Sequence, residues 1–192
     1  MSRFARVALV SAAAVSVSAC GVNTIPTKQE AAKAAWAQVQ NDYQRRADLI
    51  PNLVATVKGA GAQEKEILTE VTRARASANQ IQVSADDLTD PNKMAAYQRA
   101  QAGITLSLQR LQEAYPELKS QANYTTLMSQ LEGTENRITV SRRDYNLAVQ
   151  DYNTTIRTFP ALIGAKFIYN AQPMTPFQAI TPGAETAPQV KF

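Results

Sequence analysis

Large apolar residues recur at intervals of seven over residues 131–159 of the chain. They are Leu131, Ile138, Tyr145, Tyr152 and Phe159. Seven residues make nearly two turns of an α-helix, so these side chains share one helical face. Four successive intervals of this kind are typical of a long helix that packs against other helices. The spacing therefore predicts a helix over residues 117–158 that forms one wall of a bundle.

Proline residues and capping signals divide the rest of the chain into further helical segments. Glu30 follows Thr27 at the spacing of a capping box, so we expect a helix to begin at Thr27. Apolar residues then recur in steps of three and four through Pro51 and on to about Ala78. Because this apolar stripe keeps its phase across Pro51, we predict a kink at the proline rather than a break.

The remaining segments complete a helical architecture. Residues 82–90 are polar and predict a loop, and Asp90-Pro91 is typical of a helix N-terminus. The helix that follows is expected to end near Tyr115. No segment alternates apolar and polar residues as a half-buried strand does. We therefore predict an all-α fold, an antiparallel bundle of long helices over residues 27–168, with left-handed packing and one helix kinked at a proline.

Residues 169–192 read as a proline-rich tail. Four of the nine prolines in the chain fall within the last 22 residues. Because proline-rich segments do not pack as helices, we expect this tail to be extended or disordered. Its apolar side chains Phe177, Ile180 and Phe192 are the ones able to dock loosely on the bundle.

Residues 1–19 have the three-part pattern of a secretory signal peptide. Arg3 and Arg6 form a basic region, an apolar stretch follows, and small residues precede Cys20. The ending Val-Ser-Ala-Cys-Gly resembles a bacterial lipobox, which implies that Cys20 is lipidated through its sulfur and becomes the new N-terminus. Membrane lipid is then a partner, through the acyl chains on Cys20. The alternatives are a plain signal peptide with a coincidental cysteine, or an uncleaved membrane helix.

The residues after Cys20 bear on where such a lipoprotein is delivered. Residues 20–26 are expected to form a short linker between the anchor and the bundle. In lipoproteins of two-membrane bacteria, aspartate after the lipidated cysteine is the usual retention signal, and here that position is Gly21. The resemblance therefore implies a lipoprotein that faces the periplasm, on the outer membrane if the cell has one.

The composition excludes several kinds of site. The chain has no histidine, which removes the commonest general base and metal ligand. Its single cysteine rules out an intramolecular disulfide and a cysteine-cluster zinc site. The net charge of +4 falls to +2 without Arg3 and Arg6, too little to suggest nucleic acid as a partner. We predict no catalytic residues, no metal and no cofactor.

Two polar-rich stretches carry a family resemblance. The first, residues 45–59, reads RRADLIPNLVATVKG. The second, residues 131–138, reads LEGTENRI and is followed by Tyr145-Asn146 and Tyr152-Asn153. Together they resemble the LemA family over about residues 30–170. The resemblance implies a membrane-tethered helical bundle outside the cytoplasm and no established enzymatic activity. Many relatives have His-Glu where this chain has Gln63-Glu64.

Six polar residues in or near these stretches are candidates for a structural or partner-binding role. They are Arg46, Asp48, Asn52, Glu135, Arg137 and Arg142. Long helices need polar contacts that fix their register, so we expect ion pairs between helices among the charged ones. We expect Asn52 to pair with carbonyl groups freed by Pro51 or to bond across helices. A binding patch for a protein or a cell-wall polymer is the alternative.

These observations predict a non-enzymatic cell-envelope lipoprotein that acts as a helical scaffold or adaptor. We expect its heptad face to leave apolar surface for the helix of an envelope protein partner, or for a second copy in a homo-oligomer. The alternative function is a module that binds peptidoglycan or another envelope polymer through Arg73, Arg75 and the tyrosines. An envelope hydrolase that uses Glu135 is the third alternative.

Overall fold

The computed structural model describes residues 23–61 and 65–178. This part of the chain contains α-helices and no strand, so the predicted all-α bundle is confirmed. The helices are α1 (Thr24–Gly59), α2 (Lys65–Gln80), α3 (Pro91–Ala114), α4 (Ala122–Thr155) and α5 (Ala161–Phe167), with two 3₁₀ helices at Ala85–Thr89 and Pro116–Ser120. The predicted signal peptide, Cys20, Gly21, Gln63-Glu64 and residues 179–192 lie outside the described residues.

Helix α1 begins earlier than the capping signal at Thr27 indicated. It starts at Thr24, and the Thr27 hydroxyl donates a hydrogen bond to the carbonyl of Asn23 within the first turn. The helix then continues through Pro51, and Ile50 and Leu53 on either side of the proline belong to one core cluster. The apolar stripe therefore outweighs the hydrogen bond that proline cannot make.

The stripe predicted to run on to Ala78 is instead divided between two helices. Helix α1 ends at Gly59, and Gly61 has a φ of +84°, a left-handed conformation that glycine adopts at little cost. The chain turns at this point, and α2 packs mainly against α3. The apolar spacing predicted the helical faces correctly, but it did not locate this turn.

Short 3₁₀ helices occupy two connections. The stretch predicted as a loop holds the 3₁₀ helix Ala85–Thr89, whose Ser84 and Asp87 cap each other reciprocally. Asp90 caps α3 as predicted, accepting hydrogen bonds from the next turn of main chain. The last long helix begins at Ala122 rather than at residue 117, because residues 116–120 form a 3₁₀ turn that buries Leu118.

Helices α1 and α4 form the longest antiparallel pair. Lys28 contacts Asp151 at 2.7 Å, and further along Arg46 contacts Glu135 at 2.9 Å. Residue numbers thus rise along α1 as they fall along α4, which places the start of α1 beside the end of α4. One core cluster surrounds Trp36, and a second surrounds Leu53 nearer the other end.

The heptad face of α4 lies inside the molecule. Its first four members are almost fully buried, whereas Phe159 is 75% exposed. The expectation that this face leaves apolar surface for a partner helix is therefore wrong, since the chain's own helices cover it. Most of the exposed large apolar side chains in the described part of the chain lie beyond α4, between residues 159 and 169.

The chain reverses after α5 and returns along α4 as an extended segment. Residues 171–178, which we call the strap, have no helical or strand structure. Met174 and Phe177 in the strap are buried and join the core cluster around Trp36. The helical part of the chain thus ends near residue 168, but the packed core includes side chains beyond it.

Candidate functional site

Two asparagines of α4 hold the strap by its main chain. The Asn146 side chain accepts a hydrogen bond from the Phe177 N–H at 2.8 Å and donates one to the Phe177 carbonyl at 3.1 Å. Asn153 makes the same pair of bonds to Met174, both at 2.8 Å. Each amide therefore pairs with a strap residue much as a neighbouring strand does in a sheet. These hydrogen bonds provide partners for main-chain N–H and carbonyl groups of a segment that has no secondary structure of its own.

The spacing of these asparagines matches the spacing of the strap. Seven residues of α-helix rise about 10.5 Å, and three extended residues span about 10 Å. Tyr152 and Tyr145, also seven residues apart, bind strap residues that are three apart. Their hydroxyls donate to the carbonyls of Gln172 and Thr175 at 3.2 and 3.0 Å. Two copies of Asp-Tyr-Asn on α4 thus hold two triplets of the strap, Gln-Pro-Met and Thr-Pro-Phe.

Phe177 closes an aromatic cluster at the centre of this region. Its ring centroid lies 5.8 Å from that of Trp36 and 5.5 Å from that of Tyr145. The guanidinium of Arg142 stacks over the Phe177 ring at 4.8 Å. The Trp36 indole N–H donates to the carbonyl of Val83 at 3.1 Å, which links the cluster to the connection between α2 and α3.

The ring of Tyr97 also belongs to this cluster, 5.4 Å from that of Trp36, and burial of the tyrosines here makes the stability of the protein sensitive to alkaline pH. Burial raises the pKa of both Tyr97 and Tyr145 far above the ordinary value of 10.0. Below pH 10 both folded and unfolded states are protonated, and above it only the unfolded chain loses protons. Each such tyrosine should therefore lower the free energy of unfolding by about 1.4 kcal/mol per pH unit above pH 10.

Urea unfolding at pH 9, 10 and 11 checks this alkaline slope. Tyr97→Phe should flatten the slope, since phenylalanine has no proton to lose. Tyr169→Phe is the matched control, because Tyr169 is exposed. Equal slopes in the wild type and Tyr97→Phe would contradict the expectation.

Arg46 forms a second polar centre, inside the bundle. Its side chain is almost fully buried, and its guanidinium carries four hydrogen bonds. It donates to the Glu135 carboxylate at 2.9 Å, to the Thr105 hydroxyl at 2.9 Å, and to the carbonyl and side-chain oxygens of Gln101 at 3.0 and 2.8 Å. One buried cation therefore joins α1, α3 and α4, and the fixed geometry of the guanidinium sets their relative register.

The structure does not bring the other predicted polar residues into this centre. Asp48 accepts a hydrogen bond from Gln44 on the exposed side of α1. The Asn52 side chain is exposed beside Pro51 and makes no hydrogen bond with the residues that the structure describes. Arg137 is exposed on α4, and Arg142 contacts the strap rather than a carboxylate. Only Arg46 and Glu135 of the six form an ion pair between helices.

The side chains required by the polymer-binding alternative are poorly placed for it. Six of the seven tyrosines are buried, and only Tyr169 is exposed. Arg73 is exposed on α2, but the Arg75 side chain donates to the carbonyl of Ala47 at 2.8 Å. These residues therefore do not form one exposed surface of arginines and aromatic rings.

Asn146 and Asn153 are functional candidates that the sequence analysis missed. Both appeared in the sequence only as parts of a family motif, and asparagine on a helix usually faces solvent. The sequence did contain a signal for them. Asp-Tyr-Asn repeats after seven residues in α4, and a triplet of any residue, proline and an apolar residue repeats after three residues in the strap. The two repeats can be related only when each is converted to a length, because seven helical residues and three extended residues both span about 10 Å.

The polar centres in the described part of the chain make structural contacts. Among these residues, no group of three or more aspartate, glutamate, histidine or cysteine side chains is placed to hold a metal ion. None of the described helices combines the length and apolar character needed to cross a bilayer. The two polar centres, at Arg46 and at Asn146 and Asn153, join elements of the same chain.

Comparison with known proteins identifies the family. Residues 35–192 match the family model described as LemA family, which spans both polar-rich stretches and the strap. No curated protein matches the chain.

Proposed function

The chain belongs to the LemA family, and from this premise we propose that it is a non-enzymatic cell-envelope lipoprotein. In this proposal Cys20 carries the acyl chains, and the bundle acts as a scaffold held at a membrane surface. Its partners are membrane lipid, through Cys20, and an envelope protein. The membrane is the outer one where the cell has two, because Gly21 stands in place of the usual retention signal.

The position of the first helix carries this proposal. Helix α1 begins at Thr24, only four residues after Cys20. Four extended residues reach at most about 14 Å, so an acylated Cys20 holds the start of α1 against the bilayer. In this proposal the start of α1 is the tethered end of the bundle, and the residues between the anchor and the helix are fewer than the predicted linker of residues 20–26.

The long helices give the scaffold its reach. Helix α1 has 36 residues, so it rises about 54 Å from the tethered end. Arg46 binds α1 to α3 and α4 along this length, which favours a bundle that moves as one body. A partner that binds near Gly59, at the opposite end of α1, would then be held at a fixed distance from the membrane.

The intact mass of the mature protein tests the anchor. Protein purified from membrane fractions should have the mass of residues 20–192 plus acyl chains. Cys20→Ala should lose the acyl mass and should not be cleaved before residue 20. Ala19→Ser is a matched control, because it keeps a small residue before the thiol and should leave the acyl mass unchanged. A full-length, unmodified wild-type mass would overturn the lipoprotein proposal.

A further inference from the structure

Helix α5 is oriented opposite to an ordinary surface helix. The residues that it buries are small, namely Ala161, Gly164 and Ala165. Its large apolar residues Leu162 and Ile163 are 42% and 49% exposed. A surface helix normally buries its large apolar side chains against the core and exposes polar ones. Packing within the described part of the chain therefore does not account for the apolar side of α5.

The exposed apolar side chains form a concentrated group. Nine large apolar side chains are exposed in the described part of the chain, and six of them lie within residues 159–169. We call these six the end patch: Phe159, Leu162, Ile163, Phe167, Ile168 and Tyr169. The other three, Leu106, Val140 and Leu147, are spread over α3 and α4. A concentrated apolar surface on a soluble domain usually marks an interaction site.

The end patch lies at the end of the bundle where the chain would be tethered. Lys28 and Asp151 pair at 2.7 Å, so the antiparallel register puts Thr24 beside the end of α4. Helix α5 follows within a few residues and contacts α1. The twenty-two residues that precede the described part of the chain, with their apolar stretch and Cys20, connect to α1 at this same end.

The charges around the end patch favour a lipid surface. Residues 152–178 contain the exposed cations Arg157 and Lys166 and no aspartate or glutamate. Cations beside aromatic and aliphatic side chains are typical of helices that lie in the bilayer interface, where the cations attract anionic headgroups. This segment has no carboxylate, which such headgroups would repel, and the carboxylates of Glu30 and Asp151 at the same end of the bundle are each paired with a lysine.

We propose that the end patch is a membrane-docking surface whose partner is the lipid bilayer itself. Leu162, Ile163 and Phe167 enter the headgroup region, and Arg157 and Lys166 contact anionic lipid. The patch is a second attachment beside the N-terminal one, and it fixes the orientation of the bundle on the bilayer. This proposal rests on the proposed tether for the distance to the bilayer, but the docking surface is a separate contact.

A fluorescent label at residue 163 tests the contact in the full chain. Ile163→Cys is labelled with an environment-sensitive NBD dye and reconstituted into vesicles of phosphatidylcholine and phosphatidylglycerol, with and without nitroxide-labelled lipid. We expect a blue shift of the emission and a loss of intensity with nitroxide lipid, since interfacial helices bury their apolar face about 5–10 Å deep. Leu147→Cys is the matched control, because Leu147 is 56% exposed on α4, eight residues or about 12 Å before the end of that helix.

The two labelled positions separate the possible results. Quenching at residue 163 but not at residue 147 supports docking of the end patch. Equal emission and quenching at both positions would overturn it. A blue shift at residue 163 without nitroxide quenching would also overturn it, because the end patch would then be covered by protein rather than by lipid. The intact mass of the same sample reports acylation of Cys20 independently. An acylated but unquenched sample therefore removes only the docking surface. Without acylation the free Cys20 thiol is labelled in both variants, so quenching that is stronger for residue 163 than for residue 147 supports docking and removes only the lipid anchor.

Discussion

Replacing Phe177 by alanine should lower the free energy of unfolding by about 3–5 kcal/mol, the range for truncating a buried phenylalanine. Phe177 is 6% exposed and contacts the rings of Trp36 and Tyr145. Its removal leaves a cavity in the middle of the aromatic cluster and frees Arg142 from the ring over which it stacks. The strap then retains its main-chain bonds to Asn146 but loses its largest apolar contact.

Urea unfolding, followed by circular dichroism, measures this loss. Phe167→Ala is the matched control, since the same substitution removes a side chain that is 77% exposed. We expect it to change the free energy of unfolding by less than about 0.5 kcal/mol. The fluorescence of Trp36, the only tryptophan, reports the cluster directly and should shift to the red in Phe177→Ala alone. Equal losses in the two variants would show that the strap adds no core packing.

Replacing Arg46 by alanine should cost about 3 kcal/mol, because buried polar groups lose their partner and the packed stem is removed. The carbonyl and side-chain oxygens of Gln101 and the hydroxyl of Thr105 would all lose their donor. Glu135 is 42% exposed and can be hydrated, so it contributes little to this cost. The loss thus arises mainly from the contacts with α3 rather than from the ion pair.

Neighbouring variants separate these contributions. Arg45→Ala is the matched control, because Arg45 precedes Arg46 on α1 and is exposed. Glu135→Gln keeps an acceptor for Arg46 and should cost less than Arg46→Ala, with Glu132→Gln as its exposed counterpart. The free energy of unfolding in urea orders the four variants. Similar losses for Arg45→Ala and Arg46→Ala would contradict a special role for the buried guanidinium.

The helical faces followed from the sequence because burial imposes periodicity. The heptad series from Leu131 to Tyr152 is buried as its spacing indicates, and Asp90 caps α3. The positions of the turns were harder to predict from the sequence. Gly59 and Gly61 occur where the stripe seemed to continue, and only the left-handed conformation of Gly61 shows that the chain reverses there.

The periodicity of apolar residues could not predict the contacts of the strap. Its prolines indicated an extended segment correctly, but proline content says nothing about what an extended segment touches. The partners of Met174 and Phe177 are asparagines more than twenty residues away in sequence. Contacts of this kind depend on where α5 turns the chain. The ion pair between Arg46 and Glu135 was simpler to foresee, because both residues lie on long helices whose pairing was predicted.

The strap also has a consequence for the order in which the protein is made. Ribosomes synthesise Trp36 more than a hundred residues before Phe177. The packing around the indole is therefore incomplete until the strap has been made. A product that terminates before residue 171 can form the cluster around Leu53 but lacks Phe177, which covers one side of Trp36. Such a product presents part of an aromatic surface to proteases. Packing around Trp36 is therefore complete only in chains that include the strap.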